Sequence, residues 1–155
     1  MIEDIILKTK NNSFNQLVVK DNNDYKNLVI NLKDCLIPFG LEEYNGKYVL
    51  NFETGKNNNF NELIEKLESE MNNLLENSFN LKSVLNKRDG YNILCKGHII
   101  KNRNKIITKY IKNKNELSIF DLEKGKTYNL DLEISGIWTF KNNAGYYINI
   151  INIRE

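Results

Sequence analysis

The sequence predicts a mainly β domain, a small closed or nearly closed barrel with one amphipathic helix inserted between strands. Three observations carry this expectation: short runs of alternating apolar and polar residues, polar turns between them, and a single stretch of helical periodicity. A chain of 155 residues suits one domain spanning 1–155, with residues 1–12 read as a flexible or edge segment. At this size folding removes roughly 70% of the extended chain's surface from water, so neither a disulfide nor a metal is needed.

The first apolar runs, Val18-Val19 and Leu28 to Leu32, flank the polar turn Asp21-Asn22-Asn23-Asp24 and read as strand, turn and strand. Pro38, the only proline, makes a bend of Cys35 to Gly40. From Lys47 to Glu53 the alternation is regular, with Tyr48, Leu50 and Phe52 on one side, and the turn Asn45-Gly46 precedes it. Phe60, Leu63, Ile64, Leu67, Met71, Leu74 and Leu75 recur at three- and four-residue spacing, which predicts a helix from Phe60 to Asn77. Asn59 and Glu62 are the candidate capping box.

Beyond a short apolar stretch at Phe79 to Leu85, strand-like runs resume. Tyr91 to Ile100 and Ile106 to Ile111 are predicted to pair across the basic turn Lys101 to Lys105. Tyr128 to Phe140 and Tyr146 to Ile153 are predicted to form a second hairpin across Lys141 to Gly145. The oligonucleotide-binding (OB) barrel is the preferred instance of this element order.

Composition narrows the function classes. Asn is the commonest residue, followed by Ile and Lys, a bias that an AT-rich genome also produces. A net charge of +2 does not by itself call for a polyanion. The apolar run Ile5-Ile6-Leu7 is too short and too acidic in its surroundings for a signal peptide, and no run approaches the ~20 residues that span a bilayer. Two widely separated cysteines, Cys35 and Cys95, fit an intracellular, reducing compartment without a disulfide.

Charge distribution says more. Between Lys82 and Lys114 stand ten cations and one acid, Asp89. Cations on adjacent strands track a phosphate backbone and ring faces stack bases, so the candidate nucleic-acid contacts are Lys96, Lys101, Arg103, Lys105, Lys109, Lys112, Tyr91 and Tyr110. Unbroken alternation sends Trp138 and Phe140 to the core, whereas a bulge at Gly136 turns Trp138 outward, so Trp138 stays a stacking candidate. Tyr146 and Tyr147 point to opposite faces, which leaves Tyr147 as a further candidate. The helix carries Glu62, Glu65, Glu68, Glu70 and Glu76 against Lys66, an acidic surface opposite the basic one.

Catalytic and metal readings find little support. Cys95 and His98 stand three apart on a predicted strand and so face opposite ways, which argues against a zinc site with Cys35 and against a Cys-His nucleophile pair. No phosphate-cradling glycine loop is present and no second histidine exists to act as base. A binding protein, with no enzymatic activity and no cofactor, is expected.

Ile37-Pro38-Phe39-Gly40, Tyr44, Lys47-Tyr48-Val49-Leu50, the long helix, Gly136-Ile137-Trp138 and Gly145-Tyr146 together resemble the landmarks of the single-stranded-DNA-binding-like proteins of large nucleocytoplasmic DNA viruses. That family is in turn similar to the single-stranded-DNA-binding protein of phage T7. The resemblance covers Leu28 to Ile153. It implies an OB fold, sequence-independent binding of single-stranded DNA in replication, recombination or repair, no enzymatic activity, and residence in the host cytoplasm or a viral factory. RNA stays open as ligand, and replication proteins and a second copy of the chain are further candidate partners. The acidic tail typical of such proteins has no counterpart in Asn152-Ile153-Arg154-Glu155, so partner docking is expected instead at Glu62, Glu65 and Glu68. The alternative reading is an OB-like interaction or structural module that does not bind nucleic acid.

Overall fold

The computed structural model describes residues 5–11, 14–21, 24–54 and 58–155. Its strands are β1 (Ile5–Asn11), β2 (Phe14–Asp21), β3 (Asp24–Lys26), β4 (Leu28–Leu36), β5 (Leu41–Tyr44), β6 (Lys47–Glu53), β7 (Asn80–Leu81), β8 (Leu85–Asn86), β9 (Leu94–Ile99), β10 (Lys101–Asn102), β11 (Lys105–Ile106), β12 (Lys109–Lys112), β13 (Asn115–Leu117), β14 (Thr127–Phe140) and β15 (Asn143–Arg154). Helix α1 (Asn58–Leu74) lies between β6 and β7. Among the described residues, thirteen strands form one sheet with the main path β1-β2-β14-β15-β9-β6-β5, and β10 and β11 pair by themselves. The turn residues Asn22 and Asn23, and residues 1–4 and 12 of the terminal segment, lie outside the described residues.

The antiparallel β14–β15 ladder is the spine. One edge of β14 pairs first with β4 and then with β2, while the free edge of β15 receives β7, β9 and β12 in succession, all parallel. Alternation along the spine sends Tyr128, Leu130, Leu132, Ile134, Ile148 and Ile150 to one face, where each is at most 2% exposed. Leu50 and Phe52 of β6 and Cys95 and Ile99 of β9 join them. The same core takes Phe60, Ile64, Leu67 and Met71 from α1, and Phe60 meets Phe52 with ring centroids 6.1 Å apart. Deep burial of these side chains, at ~1.5–3 kcal/mol each, is what docks the helix.

The β-rich class and the single helix agree with the expectation from sequence, but the sheet is not a closed barrel. Closure fails where β4 meets β5. Pro38 has no N–H to give a neighbouring strand, the Ile37 N–H donates to Lys126 O at 3.0 Å, and the Gly125 N–H donates back to Ile37 O at 2.8 Å. Gly40, at φ +66°, then packs against Lys124. The Ile37–Gly40 link is therefore tied to the 124–126 loop, and β4 and β5 do not pair.

The basic hairpin is the second correction. Only Lys101↔Ile106 and Asn102↔Lys105 pair across the predicted turn. The Thr108 hydroxyl explains the break, since it accepts the Ile100 N–H at 2.7 Å and donates to Ile150 O at 2.6 Å. This fixes the chain beside β15, and β12 continues parallel to that strand. The Lys101–Lys105 and Lys109–Lys112 cations thus belong to different ladders.

Other elements follow the sequence closely. β6 matches the alternating run, and its hairpin with β5 turns at Asn45 and Gly46, at φ +52° and +79°, the signs that a two-residue type I′ turn requires. The final hairpin is tighter than predicted, closing at Lys141-Asn142 so that Asn143 already pairs with Phe140. Asn59 lies inside the first helical turn, so it is not the N-cap of a capping box.

The helix ends in a Schellman arrangement: the Asn77 N–H donates to Asn72 O at 2.8 Å and the Glu76 N–H to Asn73 O at 3.0 Å. Both residues take positive φ, +58° for Glu76 and +54° for Asn77, where a Cβ is costly. The variant Glu76→Gly should raise stability by about 0.5–1 kcal/mol, the relief of the left-handed strain less glycine's added chain entropy. Urea unfolding checks this; a midpoint equal to or below that of the wild type contradicts it.

Candidate nucleic-acid interface

A β-bulge in β14 creates the site. Ile134 pairs with Ile148, but Ile137, not Gly136, pairs with Tyr146, so one extra residue enters β14 between them. Ile137 therefore points into the core, 0% exposed, and Trp138 turns to the opposite face. Its indole lies flat over Gly145, where an added Cβ would stand only 2.4 Å from Cζ2. Glycine at 145 is what lets the ring sit so close to the β15 backbone.

The same alternation brings Tyr147 of β15, Lys96 and His98 of β9, and Asn51 of β6 onto this outer face. Pairing aligns Asn51 with Lys96 and Asn149 with His98. The Tyr147 and His98 rings meet edge to face with centroids 4.9 Å apart, and Tyr147 remains 53% exposed. Lys82 to Asn86, which follow β7 and include β8, make the facing wall. Together these groups line a groove of about 500 Å³ on the sheet face opposite α1. Beyond Lys96 the face continues to Tyr44, whose ring centroid lies 5.9 Å from Lys96 Nζ.

Charge on this face is sorted. Lys82 and Lys96 line the groove and Lys47 stands beside it, while no carboxylate lines it among the described residues. Partial burial, with Lys96 and then Lys47 as neighbouring charges, holds the His98 pKa below its ordinary 6.5. Carboxylates at the margins are engaged: Glu42 accepts from Asn51 at 2.9 Å and from Tyr44 at 2.6 Å. Asp131 accepts from Arg154 at 2.7 Å and from Asn152 at 3.1 Å. A polyanion meets cations and rings in the groove, with Glu42 bonded to Asn51 and Tyr44 at the β5 margin and Asp131 bonded to Asn152 and Arg154 on β14.

Of the residues singled out from sequence, Lys96, Trp138 and Tyr147 converge in the groove. Lys101 lies outside the groove lining and donates to Gly46 O at 3.2 Å across the β5–β6 turn, and Arg103 and Lys105 are exposed on the same small hairpin. Lys109 and Lys112 sit on β12, where Lys112 pairs with Glu155 at 3.6 Å. Tyr110 is not a stacking residue. It is 3% exposed, packs edge to face on Tyr128 at 5.7 Å, and donates to Glu155 at 2.6 Å. Tyr91 is exposed under the Arg88 guanidinium, 4.9 Å from its centroid, outside the groove lining.

The acidic helix face also needs correction. Glu62 is exposed and Glu65 pairs with Lys87, but Glu68 is half-buried and accepts from the Tyr146 hydroxyl at 2.5 Å. Glu68 thus ties α1 to the spine and is not a free docking group. Sequence reasoning missed Lys47, Lys82, Asn51 and His98 as site residues. Parity held the signal for His98, because the spacing that separates it from Cys95 also places it on the Lys96 face.

The cysteines and His98 do not form a shared centre. Both thiols are buried, and burial pushes Cys35 up to about 12 and Cys95 further upward, so neither is a thiolate at neutral pH. Among the described residues no three metal-ligating side chains cluster. Among the described residues no helix is long and apolar enough to cross a membrane. No known protein family and no curated protein matches the sequence.

Gly145→Ala should force the indole off the β15 backbone, lowering stability by about 1–3 kcal/mol as overpacking does. Because Trp138 is the only tryptophan, the emission maximum of the variant should shift as well. An unchanged spectrum together with unchanged stability would show that the ring does not rest on residue 145.

Proposed function

We propose that this chain binds single-stranded nucleic acid, DNA foremost, through the outer-face groove, in an OB-like manner and largely without regard to sequence. The observation that carries this reading is the convergence of Trp138, Tyr147 and His98 with Lys82 and Lys96 on one open face. Ring faces accept any base, at roughly 1–3 kcal/mol per stacked base, and lysines answer the phosphates. A duplex hides its base faces in its own stack, which is the physical basis for single-strand preference. The resemblance to the viral single-stranded-DNA-binding-like family supports the same role in replication, recombination or repair, and a binding role without catalysis.

The single tryptophan stands in the groove, so its emission reports occupancy directly. Titration with oligothymidylate should quench it saturably, and duplex of equal length should bind more weakly. Quenching that fails to saturate, or equal affinity for duplex, overturns the proposal. Replacing Lys82 and Lys96 together by Ala should flatten the log–log salt dependence by roughly 1.4, about 0.7 for each phosphate that is no longer neutralised.

His98 supplies a pH signature. Held neutral at pH 7 by burial, Lys96 and Lys47, it gains a proton only as pH falls below the ordinary value of 6.5. Protonation adds a positive charge beside the ligand, so affinity for single strands should rise with acidification in that window at constant ionic strength. The variant His98→Gln should lose this rise, which anisotropy across pH 5 to 8 would reveal; an identical pH profile for both proteins removes His98 from the interface.

A further inference from the structure

We infer that the ligand path runs out of the groove and round the β5–β6 turn to a second platform formed by Phe120 with Lys101 and Tyr48. The inference rests on the reading of the groove as a single-strand site. A ribbon of paired cations and rings that leaves the groove at Lys96 carries it. Lys96 lies over the Tyr44 ring, and Tyr44 pairs with Lys47 across the Asn45-Gly46 turn. On the far side of that turn Lys101 Nζ bonds Gly46 O at 3.2 Å and stands 5.5 Å over the Tyr48 ring. Tyr48 in turn meets Phe120 edge to face, centroids 5.4 Å apart.

Phe120 is an exposed aromatic ring held on a fixed backbone. It sits in a short 3₁₀ turn, Ile119–Asp121, whose Ile119 is buried while the Phe120 ring is 60% exposed. The backbone beneath it is fixed, for Ser118 Oγ accepts the Phe120 N–H at 3.2 Å. A large ring held out in water beside an anchored lysine repeats the groove's own chemistry, a stacking face with a phosphate partner. The acids around this platform are Asp121 and Glu123, of which Glu123 lies 4.0 Å from Lys126, and Glu43, which pairs across the strand from Tyr48. From Lys96 to Lys101 the chain covers five residues of near-extended strand, about 16 Å, so reaching the second platform takes a longer ligand than filling the groove.

Length dependence is therefore the test. Tryptophan quenching and anisotropy with oligothymidylates of about 5 and about 15 nucleotides span the site sizes that single OB folds take. Phe120→Ala should weaken the long oligomer about ten-fold and leave the short one unchanged. Lys101→Ala should lower the salt slope of the long oligomer by about 0.7 and not that of the short. Trp138→Ala should weaken both. If Phe120→Ala affects both lengths alike or neither, the second platform is wrong while the groove stands. If the wild type binds no oligomer, both readings fall. Phe120 is exposed, so unchanged thermal unfolding of the variant separates removal of a stacking face from damage to the fold.

Discussion

One inserted residue in β14 governs the outer face. Strand side chains alternate with a period of two, so an unbroken ladder from Tyr128 to Phe140 would bury Trp138 and expose Ile137. The bulge between Ile134 and Ile137 reverses that parity within a single strand. The core keeps its apolar lining, with Ile137 filling the place that alternation assigned to Trp138. The sheet gains an indole on its opposite side, seated where glycine leaves the β15 backbone bare.

A second irregularity, between Asp131 and Leu132 opposite Asn152 and Ile150, works toward the other end of the same hairpin. It returns Ile153 to the core and puts Asn152 and Arg154 beside Asp131, where all three bond. The two bulges thereby divide the outer face of the spine into a paired, acid-containing half near β4 and an uncompensated, cationic half near β9. Such sorting matters more than net charge, because a chain at +2 still presents a locally positive groove.

The inner face is held together by contacts that bridge the two sides of the core. Tyr146 donates to Glu68 of α1 while its strand neighbour Tyr147 faces the groove, so consecutive residues of β15 anchor the helix and furnish the ligand face. Glu155 closes the far end of the spine, pairing with Lys126, accepting from Tyr110 and pairing with Lys112. These partners together hold its carboxyl down to about 2. That network is why Tyr110 and Lys112, a ring and a cation by composition, serve the scaffold instead of the surface.

Local pattern determined much of this protein. Periodicity placed β6, β14, β15 and α1, the Asn-Gly pair located the β5–β6 turn, and Pro38 marked the bend, each because the physics involved spans only a few neighbouring residues. Parity on β9 separated Cys95 from His98 correctly. What the tertiary structure alone decided was register and company: which strand edge β12 joins, where Thr108 diverts the basic run, that Glu68 turns inward, and that Lys82 and Asn51 reach the same groove as Trp138. Those outcomes depend on hydrogen bonds between residues tens of positions apart, such as Thr108 with Ile150 and Ile37 with Lys126, and no window along the chain contains both partners.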